Sequence, residues 1–290
     1  MPVRYRSYEE DSGRWAGFPF RPGDVVVSTR SKSGTTWVQM ICLLLVLRTP
    51  ELPQPLGELS PWLDWLVEPR DQVVARLAAQ PHRRVIKTHT PLDGLPLDPG
   101  ATYVVVGRHP LDLAVSLVHQ GDNIDRERVR QLTGKSPGDP RPPRPPLAEA
   151  VRRWIDADAD PREALDSLPG VLHHLADAWR RRDEPNVVLL HYHDLSTDLA
   201  GEMRRLAARL DLEPPDPELV DAAGFERMRA RADQLVPDTH GVLKDRAAFF
   251  RRGRSGAGRE VMGEDGVARY LTRAAELAPP DLLAWLHRPA

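Results

Sequence analysis

Cysteine occurs once in these 290 residues, at Cys42, so no intrachain disulfide can staple the fold and the chain suits a reducing compartment. Cys42 sits inside an apolar run and reads as core, not as a catalytic thiol. Lysine is almost as scarce. Only Lys32, Lys87, Lys135 and Lys244 stand among the 40 basic residues, so arginine meets the generic need for positive charge and each lysine is informative. Net charge is also lacking: a formal value of −2 excludes a general binder of nucleic acid or other polyanions, and any anion site must be local. No long hydrophobic stretch is present. Val38 to Leu47 contains Gln39 and stops at Arg48, too short to cross a bilayer and right for a buried helix. The segment from Met1 to Asp11 mixes arginine, tyrosine and glutamate, without the basic-then-apolar pattern of a secretory leader, and a cytoplasmic location is expected.

What is present alternates. Val25-Val26-Val27-Ser28-Thr29 reads as a strand that passes through a polar loop into a helix starting near Thr35. Arg84 to Lys87, Thr102 to Val106 and Val187 to Leu190 read as three more strands. Apolar residues at helical spacing mark Pro110 to Gln120, Leu147 to Ile155, Val171 to Arg182 and Asp198 to Leu210. Such alternation predicts an α/β fold, with a central, mainly parallel sheet flanked by helices and ligands at the carboxyl ends of the strands. The stretch Ser136 to Pro146, rich in proline and arginine, reads as a surface or lid loop and not as a boundary between domains, because strand and helix signals resume after it.

A phosphate-binding loop needs free backbone N–H groups, a helix N-terminus behind them and a cation within reach. Residues Lys32, Ser33, Gly34, Thr35 and Thr36 supply these, and Trp37 adds an aromatic face. In the nucleotide triphosphatase loop, lysine follows the second glycine. Here lysine precedes the glycine, and no glycine occurs from Ser28 to Ser33. The other strand ends offer Lys87 and Gly107-Arg108 where a magnesium-binding acid would be expected, which disfavours a metal-assisted kinase without removing it as an alternative. A non-catalytic nucleotide-binding protein is the second alternative. His173-His174 and the pair His191 and His193, on one face if the strand continues, lack the further ligands of a metal site, and none is expected.

The run Lys32-Ser33-Gly34-Thr35-Thr36-Trp37 resembles the donor loop of the cytosolic-type sulfotransferase family, with Arg30-Ser31 where that family often carries Tyr-Pro. Three further segments follow in order. Lys87-Thr88-His89-Thr90-Pro91 is similar to the family's Lys-Thr-His-x-Pro, which implies that His89 is the catalytic base, with Lys32 and Lys87 also acting on the reacting group. Tyr103 to Ser116 resembles the second donor segment and implies that Arg108 and Ser116 hold a 3′-phosphate, although His109 replaces the usual asparagine. Arg251-Arg252-Gly253 resembles the segment that closes over the same phosphate, with Gly256-Ala257-Gly258-Arg259 where Gly-Asp-Trp-Lys is frequent. Tyr192 and Phe225 match weaker patterns that imply adenosine contacts.

The resemblance implies one domain over residues 1–290, with a P-loop-NTPase-like sulfotransferase fold. It implies 3′-phosphoadenosine 5′-phosphosulfate (PAPS) as donor, adenosine 3′,5′-bisphosphate (PAP) as product, and direct transfer to a hydroxyl or amine without a metal. The short C-terminal dimerisation motif of animal members is not found, which leaves the oligomeric state open. Low lysine with abundant arginine, alanine and proline points to a GC-rich bacterial genome, and so to a small metabolite, lipid or glycan as acceptor.

Overall fold

The valine-rich runs lie at the centre of the computed structural model, which describes every residue except Tyr8, 135–143, Pro237, Thr239 and 289–290. Four strands form one sheet: β1 (Val25–Ser28), β2 (Val85–Thr88), β3 (Thr102–Gly107) and β4 (Val187–His191). Their order is β2-β1-β3-β4, and every pairing is parallel. A parallel sheet is covered on both faces, so its strands need apolar residues at every position and not only at alternate ones. Val25, Val27, Val104 and Val106 enter one core and Val26, Ile86, Tyr103 and Val105 the other.

Six of the helices cover those faces: α1 (Thr35–Leu47), α2 (Pro110–Asn123), α3 (Leu147–Asp156), α4 (Leu168–Arg180), α5 (Leu199–Arg209) and α6 (Ala257–Leu277). Helix α1 is the apolar run identified in the sequence. It is buried on almost all sides and contributes with α5 to the first core, and its Cys42 is fully buried. Helices α2, α3, α4 and α6 build the second. No helix among the described residues is long and apolar enough to cross a membrane.

Strand β2 starts and ends one residue later than the run Arg84 to Lys87 suggests, and buried Arg84, just before it, turns its guanidinium to Asp24, with Nε donating at 2.8 Å. Helix α2 continues past Gln120 to Asn123. Strand β4 ends at His191 and a helical turn begins at Tyr192, so His191 and His193 do not share a strand face. Of the Pro-rich stretch, 136–143 lies outside the described residues, and 144–146 leads into α3.

The arrangement matters for function through one edge. Ser28 pairs with Thr88 and Gly107 with His191, so the segments that follow all four strands emerge together. Strand β1 lies between β2 and β3, the point of reversal at which open α/β sheets bind ligands.

Candidate active site

Beyond β1 the chain makes a tight turn before α1. Lys32 (φ 65°) and Gly34 (φ 107°) both adopt the left-handed conformation. At Gly34 the conformation and the space agree, since an added Cβ would lie 3.0 Å from Tyr192 Cδ2. The Thr29 and Thr35 hydroxyls share a hydrogen bond of 2.5 Å across the turn, and buried Ser33 donates its N–H to Arg30 O. No side chain caps α1, so its first N–H groups remain available to an anion. Trp37 is anchored by Nε1 donating to Ala223 O at 2.8 Å and meets Tyr192 edge to face. Phe225 packs on Gly253, where a Cβ would come within 2.4 Å of its ring.

Four cations converge here without a carboxylate partner. Lys32 Nζ lies 4.0 Å from the Phe249 ring centroid and 3.3 Å from Gln120 Oε1, and Lys87 Nζ lies 4.0 Å from that of Trp62. Arg108 stacks on Tyr192 and donates to Lys32 O at 2.8 Å, while its Nε and that of Arg251 are buried without partners among the described residues. None of the four forms a salt bridge among the described residues. Burial, then the charges of Arg108, Lys87 and Arg251, push the Lys32 ammonium down to about 7. Burial pushes Lys87 down to about 8, against the pull of Glu10 and Asp64. This is the electrostatic pattern of an anion-binding site.

The departures from the family pattern have local explanations. His109 Nδ1 accepts from the Leu111 N–H at 3.3 Å and so caps α2, the bond an asparagine side chain could make there. Burial holds that imidazole near 4, so it stays neutral and able to accept. One turn on, Asp112 accepts from the N–H groups of Gly256 at 2.9 Å and Gly258 at 2.6 Å, fastening the C-terminal segment to the helix that carries Ser116. A Cβ at Gly258 would lie 2.4 Å from Leu111 Cβ and 2.5 Å from its carbonyl carbon. Gly258→Ala is therefore expected to lower stability by about 1–3 kcal/mol, read from denaturant unfolding, and to weaken PAP binding, because the clash is with backbone. Arg252 is exposed and paired with Glu260 at 2.5 Å, which leaves Arg251 as the inward-facing arginine.

His89 follows β2. Its Nδ1 contacts Thr29 O, and a carbonyl can only accept, so Nδ1 carries the proton and the lone pair is on Nε2. Burial, then Lys87 and Arg30, hold the imidazole well below its ordinary value, so it is neutral at physiological pH. The Trp62 ring meets it edge to face at 4.6 Å. Arg30, in place of the family's tyrosine, is fully buried. One of its nitrogens bonds His89 O, and the other donates to Asp166 Oδ1 at 2.8 Å and Glu10 Oε1 at 3.3 Å.

These groups surround one cavity of about 630 Å³. The expected residues Lys32, Gly34 to Trp37, Lys87, His89, Arg108 and Ser116 line it, as do Tyr192, Phe225 and Arg251 to Gly253. Ser33 lies behind the wall. Several residues that sequence reasoning missed share the lining: Glu10, Trp62, Trp65 and Asp166 near His89, with an apolar wall of Ile124, Val242 and Leu243. No local motif announces them. Segments 242–245 and 123–125 meet through backbone hydrogen bonds, which builds that wall from distant stretches of chain. No cluster of three or more metal-ligating side chains occurs among the described residues.

Comparison with known proteins adds to this geometry. The family model described as sulfotransferase domain matches residues 22–272. A glycolipid sulfotransferase of Mycobacterium bovis is 42% identical over 307 residues, covering 98% of this chain and 94% of its own. Human sulfotransferase 2B1 is 27% identical over 248 residues, covering 80% of this chain and 60% of its own. Crystallised retinol dehydratase in complex with androsterone and PAP superimposes with a TM-score of 0.69 at 22% identity, over 93% of this chain and 86% of the other. A mouse sulfotransferase complexed with PAP gives 0.68 at 17% identity, over 96% and 93%. At such identities the likeness extends to the fold.

Proposed function

The chain belongs to the sulfotransferase domain family, and from that premise we propose that it moves a sulfuryl group from PAPS to a hydroxyl of a glycolipid-type acceptor, with His89 as general base. Family membership sets aside both the kinase and the non-catalytic nucleotide-binding alternatives. The observation that carries the proposal is the juxtaposition of a neutral, backbone-oriented His89 with four unpaired cations around one cavity.

The residues present fit the donor. The open N-terminus of α1 and Lys32 suit its 5′ end, whereas Arg108, Ser116, Arg251 and the Gly253 backbone suit its 3′-phosphate. Trp37, Tyr192 and Phe225 supply aromatic faces for adenine. When bound, the donor supplies the sulfuryl group. His89 Nε2 accepts the proton of the acceptor hydroxyl as its oxygen attacks sulfur, while Thr29 O retains the Nδ1 proton. Lys87 faces the oxygens of the group in flight, and Lys32 offsets the charge that grows on the departing phosphate oxygen. Preorganised cations act strongly there because the site is shielded from water.

The acceptor class rests on two supports. The mycobacterial relatives are glycolipid sulfotransferases, and this cavity joins an apolar wall at Ile124, Val242 and Leu243 to a polar end at Glu10 and Asp166. A site of action in the cytoplasm is in keeping with the single buried thiol. Incubation with PAPS and a glycolipid panel should yield products heavier by one SO3, with PAP released one for one. Tight PAP binding without transfer to any hydroxyl in the panel would overturn the reading.

Lys32 also sets a pH dependence. In the free protein it titrates at about 7, and a bound dianion raises that value, so binding is strongest with the ammonium protonated. Affinity for PAP is expected to be level below pH 7 and to fall by up to about tenfold per unit above it, with proton uptake on binding. Calorimetry in buffers of different ionisation enthalpy between about pH 6 and pH 9 measures both.

A further inference from the structure

His89 is held from two consecutive residues of the turn that follows β1. Thr29 O fixes its ring through Nδ1, and the Arg30 side chain fixes its main chain, with one guanidinium nitrogen donating to His89 O. The other terminal nitrogen of Arg30 donates to Asp166 Oδ1 at 2.8 Å and to Glu10 Oε1 at 3.3 Å. One guanidinium therefore ties the His89 main chain to two carboxylates from distant segments. With 1% of its side chain exposed, Arg30 faces protein on nearly all sides.

A neutral donor would satisfy the His89 carbonyl equally well, whereas a buried guanidinium carries a desolvation cost that its carboxylates only offset. The charge has a use at this place. A general base must stay unprotonated until its acceptor arrives, and a cation beside an imidazole opposes protonation. We infer that Arg30 is a positioning residue for His89, which holds the main chain of the base in place and by its charge keeps the imidazole free of a proton. The inference rests on the proposed role of His89 and adds the group that prepares it. Other groups near the imidazole do not replace Arg30. Lys87 on β2 acts in the same electrostatic sense but without a bond to the His89 main chain, and His174 on α4 is neutral because burial holds it down to about 3. Asp64 accepts from the Thr88 and Thr90 hydroxyls on either side of His89, and Glu10 and Asp166 are paired with Arg30 itself.

The test reads the imidazole directly by nuclear magnetic resonance of the PAP complex, with the His89 signal assigned through His89→Ala, and reads the transfer step as kcat at saturating PAPS with the best acceptor of the glycolipid panel. Arg30→Met removes both the charge and the donors. Its His89 titration midpoint should rise by about one pH unit or more, and kcat at neutral pH should fall by about 10–100-fold, with a deeper loss toward acid. PAP affinity should stay within about twofold, because the guanidinium makes its bonds to protein. Arg30→Lys keeps the charge but cannot span His89 O and both carboxylates. Its midpoint should stay within about half a unit of wild type while kcat falls by the same factor at every pH, and it reports even where Arg30→Met folds poorly. An unmoved midpoint in Arg30→Met, or a wild-type kcat in Arg30→Lys where His89→Ala is impaired, overturns the inference. A raised midpoint in Arg30→Met together with a wild-type kcat in His89→Ala upholds the hold of Arg30 on His89 and counts against His89 as the base.

Discussion

Replacing His89 with alanine should lower kcat by about 10²–10⁴-fold while leaving PAP affinity within about twofold. The split follows from the geometry. His89 has Nδ1 fixed on Thr29 O and Nε2 holding the lone pair, and it is not among the groups assigned to the nucleotide. Its removal takes away the proton acceptor but none of the cations. The pH profile gives a second measure. A base must be deprotonated to act, and burial with Lys87 and Arg30 holds this imidazole well below its ordinary value. The acid limb of kcat should therefore lie below the usual histidine range, and activity should stay level through neutrality. A wild-type rate in the alanine variant with a good acceptor, or an acid limb at the ordinary histidine value, would remove His89 from its role.

Much of this site can be read in the sequence because it is local. Lys32 to Trp37 carries its cation, its left-handed glycine and its helix start within six neighbouring positions, and the sheet declares itself in valine runs buried on both faces. Arg30 shows the limit. The sequence displays an arginine where a tyrosine is usual, but its partners Glu10 and Asp166 are 20 and 136 residues away. Only folding reveals that the guanidinium is buried and braces the His89 carbonyl. Trp62, Trp65 and the wall at Ile124, Val242 and Leu243 were invisible for the same reason, since their meaning lies in tertiary proximity. His109 differs again: its position was legible, but not that an imidazole nitrogen could cap the helix there.

Lys32→Ala should be the other large loss, lowering kcat by about 10²–10³-fold, the scale for removal of one preorganised group at a developing negative charge. PAP affinity should fall less, because Arg108, Arg251 and the N-terminus of α1 remain. The outcome separates Lys32 from His89 by its pH behaviour. With the ammonium gone, the decline of PAP affinity above pH 7 should flatten. Lys32→Arg should rescue poorly, since a bulkier planar fork does not reproduce a compact point charge over Phe249. An unchanged pH slope in the alanine variant would show that another group carries the proton.

Cys42 has an implication beyond its place in α1. It is the sole sulfhydryl of the chain, completely enclosed, and burial pushes it up to about 12. A thiolate is the reactive species, so mild oxidants and alkylating reagents have nothing to attack while the native core persists. Capture of that one atom by a thiol reagent therefore becomes a clock for the opening of its innermost helix.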